Sequence, residues 1–407
     1  MIERPPIDSP SAGDLTKDAP QTLLVQISGD DRPGISAGLL RVLQSVAATV
    51  EDIEQIVIRG RLTLGALVTI PPGHDAVKEL LLFGWKRDLQ VDFEIVSEAA
   101  APAVPAHVVT VLGSVISPAD LGLVAEAIAD GGGNITRILR LSLYPVVSYE
   151  FTVTGGKFDE IRHSLLLVAA GTPTIDVAVQ PEGLGRRSKR LVMLDVDSTL
   201  VQNEVIDLLA AQAGVQAEVA AITTLAMAGE IDFETALLDR VSLLKGLPVA
   251  AVDAAWSNLS YTPGARTFMR TLRRLGFTTA IVSGGFTLFT DRIRDELKID
   301  YSRANELEVV DGVLTGKLVG PVLDRAQKAQ TLREIASSEG IPLEQTVAIG
   351  DGANDLDMLE LAGLGIAFNA KPIVQAAADT TLSVPYLDAI LFLLGITRDE
   401  VVAADAS

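Results

Sequence analysis

Cysteine is absent from the 407-residue chain, and histidine occurs only three times. The sequence therefore has no disulfide bond, no thiolate nucleophile and no cysteine-based metal site. Long apolar runs are also missing, because the best candidate, residues 389–396, is far shorter than the roughly 20 residues of a membrane-spanning helix. Residues 1–20 lack the basic segment and apolar core of a secretory signal. These absences predict a cytoplasmic protein without a membrane partner.

Positive charge is scarce as well, since 33 Lys and Arg residues face 53 Asp and Glu residues and the net charge is −20. Nucleic-acid binding needs clustered cations, so this balance excludes a nucleic-acid partner. The composition is otherwise that of a folded globular protein, 48% hydrophobic and 21% charged. The length predicts about two to four domains.

An apolar segment, residues 191–194, is followed at once by the carboxylates of Asp195 and Asp197. An unbroken apolar run of this kind is typical of a strand in a parallel sheet that is covered on both faces. Ligand sites in such sheets lie beyond the carboxyl ends of the strands. Taken alone, the two carboxylates could equally be a helix cap or a turn.

Three later segments complete the pattern. A β-rich run over 278–282 ends at Ser283, and another over 346–349 is followed closely by Asp351. Between them, Lys328 lies on a predicted helix. Because parallel strands end at the same edge of a sheet, these polar residues are expected to lie close to Asp195.

The order Asp-x-Asp-x-Thr, Ser-Gly, Lys and Gly-Asp-Gly-x-Asn-Asp resembles the four motifs of the haloacid dehalogenase superfamily, over about residues 185–397. Within it, residues 195–200 with Glu204 are similar to the phosphoserine phosphatase family. The resemblance implies an α/β fold, with a Rossmann-like parallel-sheet core and a helical cap. It also implies Mg²⁺-dependent hydrolysis of O-phospho-L-serine to L-serine and phosphate, the last step of serine biosynthesis.

Phosphomonoester hydrolysis gives each motif residue an expected role. Asp195 is the expected nucleophile, which would form an aspartyl-phosphate, and Asp197 the expected acid and then base. Ser283 and Lys328 would hold and neutralise the phosphoryl group. The resemblance implies that Mg²⁺ binds the carboxylates of Asp195 and Asp351 and the backbone carbonyl of Asp197.

Substrate choice is expected to depend on Glu204, which could pair with an ammonium group, and on Arg240, which could hold a carboxylate. A surface position is the alternative for Arg240, since most arginines on amphipathic helices are exposed. The further substrate-binding candidates are Ser283, Gly284, Lys328 and Asn354, and the supporting candidates are Thr199, Phe233 and Asp355. Asp355 is expected to orient Lys328 or metal-bound water, with a helix N-terminal acid as the alternative.

The N-terminal half contains the order β-α-β-β-α-β twice, the ferredoxin-like split unit. Gly29 aligns with Gly113 and Gly38 with Gly122 at one offset, which indicates an internal duplication. The predicted segments are a disordered tail at 1–20, modules at 21–97 and 107–181, linkers at 98–106 and 182–190, a phosphatase domain at 191–398 with its cap at about 204–260, and a tail at 399–407.

The loop of the first module, Asp31, Arg32, Pro33 and Gly34, is similar to that of the ACT domain, a module that commonly binds amino acids at interfaces. The second module departs from this pattern at 116–118, which puts its ligand site in doubt. The resemblance implies L-serine or another amino acid as regulator, and a homo-oligomer formed through these modules. A plain β-to-α turn is the alternative.

Two other functions remain open from the sequence. The first is a different small-metabolite phosphatase or phosphotransferase of the same superfamily. The second is an amino-acid-sensing regulatory protein, although such a protein is expected to have lost at least one of the catalytic residues, and none is missing. The basic segment at 182–190 is expected to be a solvated linker, with an anion site as the alternative.

Overall fold

The structure is a computed structural model that describes residues 19–96, 105–227 and 230–406. The chain divides into two compact units, Met1–Ala103 and Val104–Ser407. Almost all of the expected N-terminal tail and of the linker at 98–106 lies outside the described residues. No helix among the described residues is both long and apolar enough to cross a bilayer.

The first unit has the predicted β-α-β-β-α-β order. Its elements are β1 (Gln21–Asp30), α1 (Ile35–Ser45), β2 (Thr49–Ile58), β3 (Arg61–Ile70), α2 (Ala76–Arg87) and β4 (Gln90–Val96). The strands form an antiparallel sheet in the order β2-β3-β1-β4. Leu23, Val25 and Ile27 alternate along β1 into the buried core, which is the period-2 pattern of a sheet covered on one face.

The second unit begins with the same fold. Its elements are β5 (Pro105–Gly113), α3 (Pro118–Asp130), β6 (Gly133–Ser142), β7 (Val147–Gly155), α4 (Phe158–Gly171) and β8 (Ile175–Pro181). The sheet order is β6-β7-β5-β8, which matches the first unit. Ser117 caps the N-terminus of α3 and forms a capping box with Asp120. The residues at 116–118, which differ from the loop of the first module, therefore form a helix cap.

This second module packs directly on residues 191–406, the domain that carries the predicted catalytic residues and is named the catalytic domain for them. Residues of β8 alternate between two buried faces, and Ala178 belongs to the same apolar cluster as the core of the catalytic sheet. Two polar side chains of β8 also bond to that domain: Gln180 donates to the carbonyl of Leu393 at 2.9 Å, and Asp176 accepts from the Ser383 amide at 2.7 Å. The second module and the catalytic domain therefore share one core.

The expectation of a solvated linker at 182–190 is wrong for two of its cations. The segment contains a short helix, α5 (Leu184–Arg187). The Arg186 side chain is only 6% exposed and forms an ion pair with Glu150 of the second module. Lys189 is buried and donates to the carbonyls of Glu344 and Gly363 at 2.5 and 2.8 Å. These partners are distant in sequence, so the pattern of charges could not reveal them.

The catalytic domain is built on a seven-stranded sheet. Its strands are β9 (Leu191–Leu194), β10 (Thr278–Phe286), β11 (Tyr301–Val310), β12 (Val313–Val319), β13 (Thr346–Gly350), β14 (Gly365–Phe368) and β15 (Thr380–Leu382). The order is β12-β11-β10-β9-β13-β14-β15, and only β12 is antiparallel to its neighbour. Asp311 and Gly312 form the tight β11–β12 turn with positive φ, as the Asp-Gly pair predicts.

Among the described residues between β9 and β10, four helices form the cap: α6 (Val205–Ala213), α7 (Gln216–Met227), α8 (Phe233–Ser242) and α9 (Ala251–Trp256). The remaining helices are α10 (Ala265–Arg274), α11 (Thr287–Leu297), α12 (Arg325–Ser338), α13 (Leu356–Leu361), α14 (Pro372–Ala377), α15 (Ile390–Leu393) and α16 (Arg398–Ala406), with 3-10 turns at Leu343–Gln345, Ala353–Asp355 and Leu387–Ala389. The cap packs on the sheet through buried residues of β10, β11 and β12, Phe286, Leu307 and Leu314.

The C-terminal segment differs from the tail expected at 399–407. Helix α16 occupies it and buries Val401 against the core. Asp405 near its end accepts hydrogen bonds from Arg270 and Arg274 of α10. The buried Val401 and the two ion pairs of Asp405 hold this helix in place. A segment this short shows no apolar periodicity from which the helix could be predicted.

Candidate active site

Three loops meet at the carboxyl edge of the catalytic sheet. Strand β9 is paired in parallel with β10 on one side and β13 on the other, and Leu194 is aligned with both Ile281 and Ile349. The three strands are therefore in register just before the position where each motif begins. This alignment brings together the sequence motifs that begin at Asp195, Ser283 and Asp351, as the strand pattern predicts.

Lys328 joins two of the buried carboxylates. Its Nζ lies 3.0 Å from Asp195 Oδ1 and 2.7 Å from Asp355 Oδ1, and the side chain is 1% exposed. The helix that carries it, α12, is capped at its N-terminus by Asp324, whose side chain accepts a hydrogen bond from the Gln327 amide. Burial lowers the pKa of Lys328, but the charges of Asp195 and Asp355 outweigh burial and the net shift is upward. The lysine is therefore a fixed cation at the site.

Asp355 is fully engaged by hydrogen bonds. While Oδ1 accepts from Lys328, Oδ2 accepts from the amides of Asp351 and Gly352 at 3.2 and 3.0 Å. A Cβ at Gly350 would collide with this carboxyl group, so only glycine fits at the end of β13. These contacts fit the expectation that Asp355 orients Lys328 and the loop.

The acidic cluster suits a hard divalent cation. One carboxylate oxygen from each of Asp195, Asp351 and Asp355 lies within 4.8 Å of the others. Burial raises the pKa of Asp351 to about 6, and the charge of Asp355 adds to this effect. Burial and the neighbouring Asp355 likewise raise the pKa of Asp195 well above its usual value. A cation bound here would offset this concentration of negative charge, so the donor set fits a metal with oxygen ligands.

Asp197 points away from this cluster toward the cap and the Ser283 loop. Its Oδ1 accepts from the Val205 amide and its Oδ2 from Ser283 Oγ, both at 2.7 Å. Burial raises the pKa of Asp197, and these two donors oppose the shift. Ser283 Oγ also accepts from the Gly285 amide at 2.7 Å. Asp197 is thus positioned by both walls of the site.

The cap contributes Glu204 and Arg240. Glu204 Oε1 accepts from Ser198 Oγ at 2.8 Å, and burial, together with the charge of Asp197, raises the pKa of Glu204 to about 7. Arg240 donates through Nη1 to Thr223 Oγ1 at 3.4 Å. Burial lowers the pKa of Arg240, and the charge of Glu204 opposes that shift. Arg240 is half-buried and lies near enough to Glu204 for the two charges to interact.

The other predicted residues of the catalytic domain lie next to these groups. Thr199 is buried, and its Oγ1 donates to Asp351 Oδ1 at 3.1 Å. A Cβ added at Gly284 would lie 3.3 Å from the Phe233 ring, so that ring covers the glycine. Asn354 is half-buried in the turn beside Asp355.

The predicted ligand loop of the first unit is a separate feature. There, Gly34 lies directly before α1 with a φ of 90°, which a glycine adopts readily.

Asn305 is the functional-site residue that sequence reasoning missed. It is 3% exposed on β11, where Nδ2 donates to the Gly284 carbonyl and Oδ1 accepts from the Leu323 amide, both at 2.8 Å. It therefore links the Ser283 loop to the segment that leads into α12 and Lys328. Its neighbours Ala304 and Glu306 do not set it apart in the sequence, and its two partners are known only from the fold.

Comparison with known families agrees with this geometry. A haloacid dehalogenase-like hydrolase family matches residues 192–360, and ACT domain families match residues 21–94 and 105–180. A phosphoserine phosphatase from Streptomyces coelicolor is 50% identical over 394 residues, which cover 96% of each chain. A phosphoserine phosphatase from Mycobacterium tuberculosis is 47% identical over 397 residues, covering 95% of this chain and 96% of that relative.

A solved structure extends the similarity to three dimensions. The unliganded probable phosphoserine phosphatase from Vibrio cholerae is 32% identical, with a TM-score of 0.58, over 76% of this chain and 91% of that chain. This structural likeness and the near full-length sequence identity agree with the four motifs gathered at one edge of the sheet. The chain belongs to the phosphoserine phosphatase family of haloacid dehalogenase-like hydrolases and carries two ACT domains.

Proposed function

We propose that the enzyme hydrolyses O-phospho-L-serine through an aspartyl-phosphate on Asp195, with Mg²⁺ bound, as the last step of serine biosynthesis. One observation carries the mechanism. Asp195 Oδ1 accepts both from the Val196 amide, at 2.7 Å, and from Lys328, at 3.0 Å. The second oxygen, Oδ2, is left to act as the nucleophile.

In the first step, Asp195 Oδ2 forms a bond to phosphorus as the bond from phosphorus to the serine oxygen breaks. Asp197 gives its proton to the leaving oxygen, and burial favours the protonated form of Asp197 because it raises the pKa of this carboxyl group. In the second step, Asp197 takes a proton from water, which attacks the phosphoryl group and releases Asp195. The carboxylates of Asp195 and Asp351 and the Asp197 carbonyl would hold Mg²⁺, which supplies charge neutralisation to the phosphoryl oxygens.

Ser283 and the Gly284 amide would bind phosphoryl oxygens that Lys328 neutralises. The test of the whole proposal is phosphate release from phosphoserine, phosphoethanolamine, 3-phosphoglycerate and p-nitrophenyl phosphate, each with Mg²⁺ and with a chelator. We expect phosphoserine to give the highest kcat/KM and the chelator to remove activity. Equal rates on all four esters would contradict the substrate assignment, and full activity in the chelator would contradict the metal.

Arg240→Ala is expected to lower kcat/KM for phosphoserine far more than for phosphoethanolamine, which has no carboxylate. A lost charge-assisted contact in a closed site costs about 1.5 to 3 kcal/mol, which is roughly tenfold or more in kcat/KM. The measurement is steady-state kinetics on both esters. Arg292→Ala, an exposed arginine paired with Asp253, is the matched control and should change neither value. A similar loss on both esters would assign Arg240 to the phosphate or to the fold.

Glu204 gives the enzyme a specific dependence on pH. Its raised pKa of about 7 means that the side chain gains its charge as pH rises through neutrality. We expect the ratio of kcat/KM for phosphoserine to that for 3-phosphooxypropanoate, which lacks the ammonium group, to rise from about pH 6 to about pH 8. The ratio cancels ionisation of the phosphate. In Glu204→Gln the ratio should be lower and flat, and a flat ratio in the unchanged enzyme would exclude this role.

The ACT domains suggest that the enzyme binds an amino acid, and we propose L-serine, held by the loop of Asp31, Arg32, Pro33 and Gly34 in a homo-oligomer. Coupling to catalysis needs a differential affinity, typically about 1 to 3 kcal/mol. Arg32→Ala should keep kcat but remove inhibition by serine at concentrations too low to compete with phosphoserine. Arg41→Ala, which replaces an exposed arginine of the same module, should keep that inhibition. If serine inhibits the unchanged enzyme, Arg32→Ala and Arg41→Ala equally, and only by competition with phosphoserine, the regulatory proposal is wrong.

A further inference from the structure

A cavity lies within the second unit, between its ACT module and the catalytic domain. It has a volume of about 400 Å³. Phe158 and Arg162 of α4 line one side, and Leu364 and Asp379 of the catalytic domain line the other. Lys189, which also lines it, lies just before β9, whereas Asp195 follows the far end of that strand. Four strand residues at about 3.3 Å each, roughly 13 Å, separate the cavity from the active site.

The charged side chains that line this cavity are balanced in sign. Its cations are Arg162, Arg186 and Lys189, and its acids are Glu182, Glu344 and Asp379. An anion bound here would lie near three carboxylates, and a cation near three positive groups. A small ligand that carries one charge of each sign can be placed with both charges facing opposite ones.

Unmet hydrogen bonds give an independent indication of a polar ligand. Arg186 Nε and Glu182 Oε2 are buried and have no hydrogen-bond partner among the described residues, although Glu182 Oε2 lies 3.8 Å from Arg186 Nη1 in an ion pair. The rest of each group is held in place, because Arg186 pairs with Glu150 and Glu182 Oε1 accepts from Arg187. Buried polar atoms without partners are uncommon in folded proteins. One donor and one acceptor without a hydrogen bond therefore belong to residues that line the same cavity.

We propose that this cavity binds a small zwitterion of the α-amino-acid type. Its carboxylate would face Arg162 and Arg186, and its ammonium group would face Glu182 and Asp379. The volume is at the small end of the range for ligand pockets, which suits a molecule of this size. The site is separate from the phosphoryl pocket and from the loop of the first module, so it stands independently of the function proposed above.

A ligand in this position contacts both the ACT module and the catalytic domain. It would strengthen the junction, which already contains the bond from Arg162 Nη2 to the Ala378 carbonyl at 3.2 Å. Binding to the folded state alone raises the melting temperature. We therefore expect an amino acid that occupies the cavity to raise Tm, even when the active site is saturated with inorganic phosphate and Mg²⁺.

The test uses the full chain and a pair of glycine variants. Gly185 lines the cavity and Gly171, at the end of α4, does not. A Cβ at either position meets nothing within 4 Å, so both Gly185→Phe and Gly171→Phe should fold. Calorimetry and thermal unfolding would be measured with glycine, L-serine and L-aspartate, and with ethanolamine and L-lactate as ligands that each lack one charge.

At least one amino acid should bind the unchanged protein and Gly171→Phe equally, and bind Gly185→Phe and Arg162→Met about tenfold more weakly or worse. Ethanolamine and L-lactate should show no binding that Gly185→Phe weakens. The kcat measured without amino acid should be the same in the two glycine variants. If no amino acid binds in a way that Gly185→Phe weakens, the cavity holds water only and the proposal fails. Equal binding by L-lactate would replace the zwitterion with a simple anion.

Discussion

Asp195→Asn is expected to abolish phosphate release while the protein stays folded. An amide is not a nucleophile and is not an anionic metal ligand, so we expect a loss of roughly 10⁴-fold or more in kcat. The fold should tolerate the change because burial raises the pKa of Asp195, which means that the charged carboxylate is unfavourable where it lies. Lys328 keeps Asp355 as its partner. Steady-state kinetics and thermal unfolding measure the two effects separately.

The covalent intermediate gives a second test of the same residue. Beryllium fluoride with Mg²⁺ should form an acyl-phosphate mimic on Asp195, which mass spectrometry or crystallography can locate. For the kinetics of Asp195→Asn, the matched control is Asp295→Asn, which changes an exposed carboxylate on α11 and should keep full activity. Phosphate found on Ser198 or Ser283 instead of Asp195 would overturn the mechanism.

Asp197→Asn is expected to slow phosphoryl transfer from phosphoserine by about 10² to 10⁴ while substrate still binds. The leaving alkoxide would lose its proton donor, whereas p-nitrophenolate leaves without a proton. The substitution should not disturb the local structure, because the oxygen of the new side-chain amide can still accept from the Val205 amide and the Ser283 hydroxyl can rotate. The loss should therefore be much smaller for p-nitrophenyl phosphate.

Pre-steady-state kinetics on both esters, with substrate in excess over enzyme, measure this difference directly. With p-nitrophenyl phosphate we expect Asp197→Asn to release a burst of p-nitrophenol and then turn over slowly, because the second step still needs a base to activate water. Equal losses on the two esters in the first step would contradict the acid role of Asp197 and assign it to binding or to the fold.

The sequence by itself determined the elements that carry the chemistry. Apolar runs at β9, β10 and β13 end directly in polar motifs, and parallel pairing forces the ends of neighbouring strands to one edge of the sheet. Local rules sufficed here, since each motif lies within a few residues of its strand. The duplicated βαββαβ modules were readable for the same reason, from the alternation of strand and helix patterns.

Only the tertiary structure decided which side chains from distant segments meet. Asn305 bonds to both Gly284 and Leu323, and Arg186 is buried against Glu150. The residues next to Asn305 and Arg186 in the sequence do not predict these partners. The packing of β8 on the catalytic domain is of the same kind, because an apolar strand face does not reveal what covers it. Burial of polar groups depends on partners supplied across the fold, and that pairing is set by three-dimensional packing rather than by local pattern.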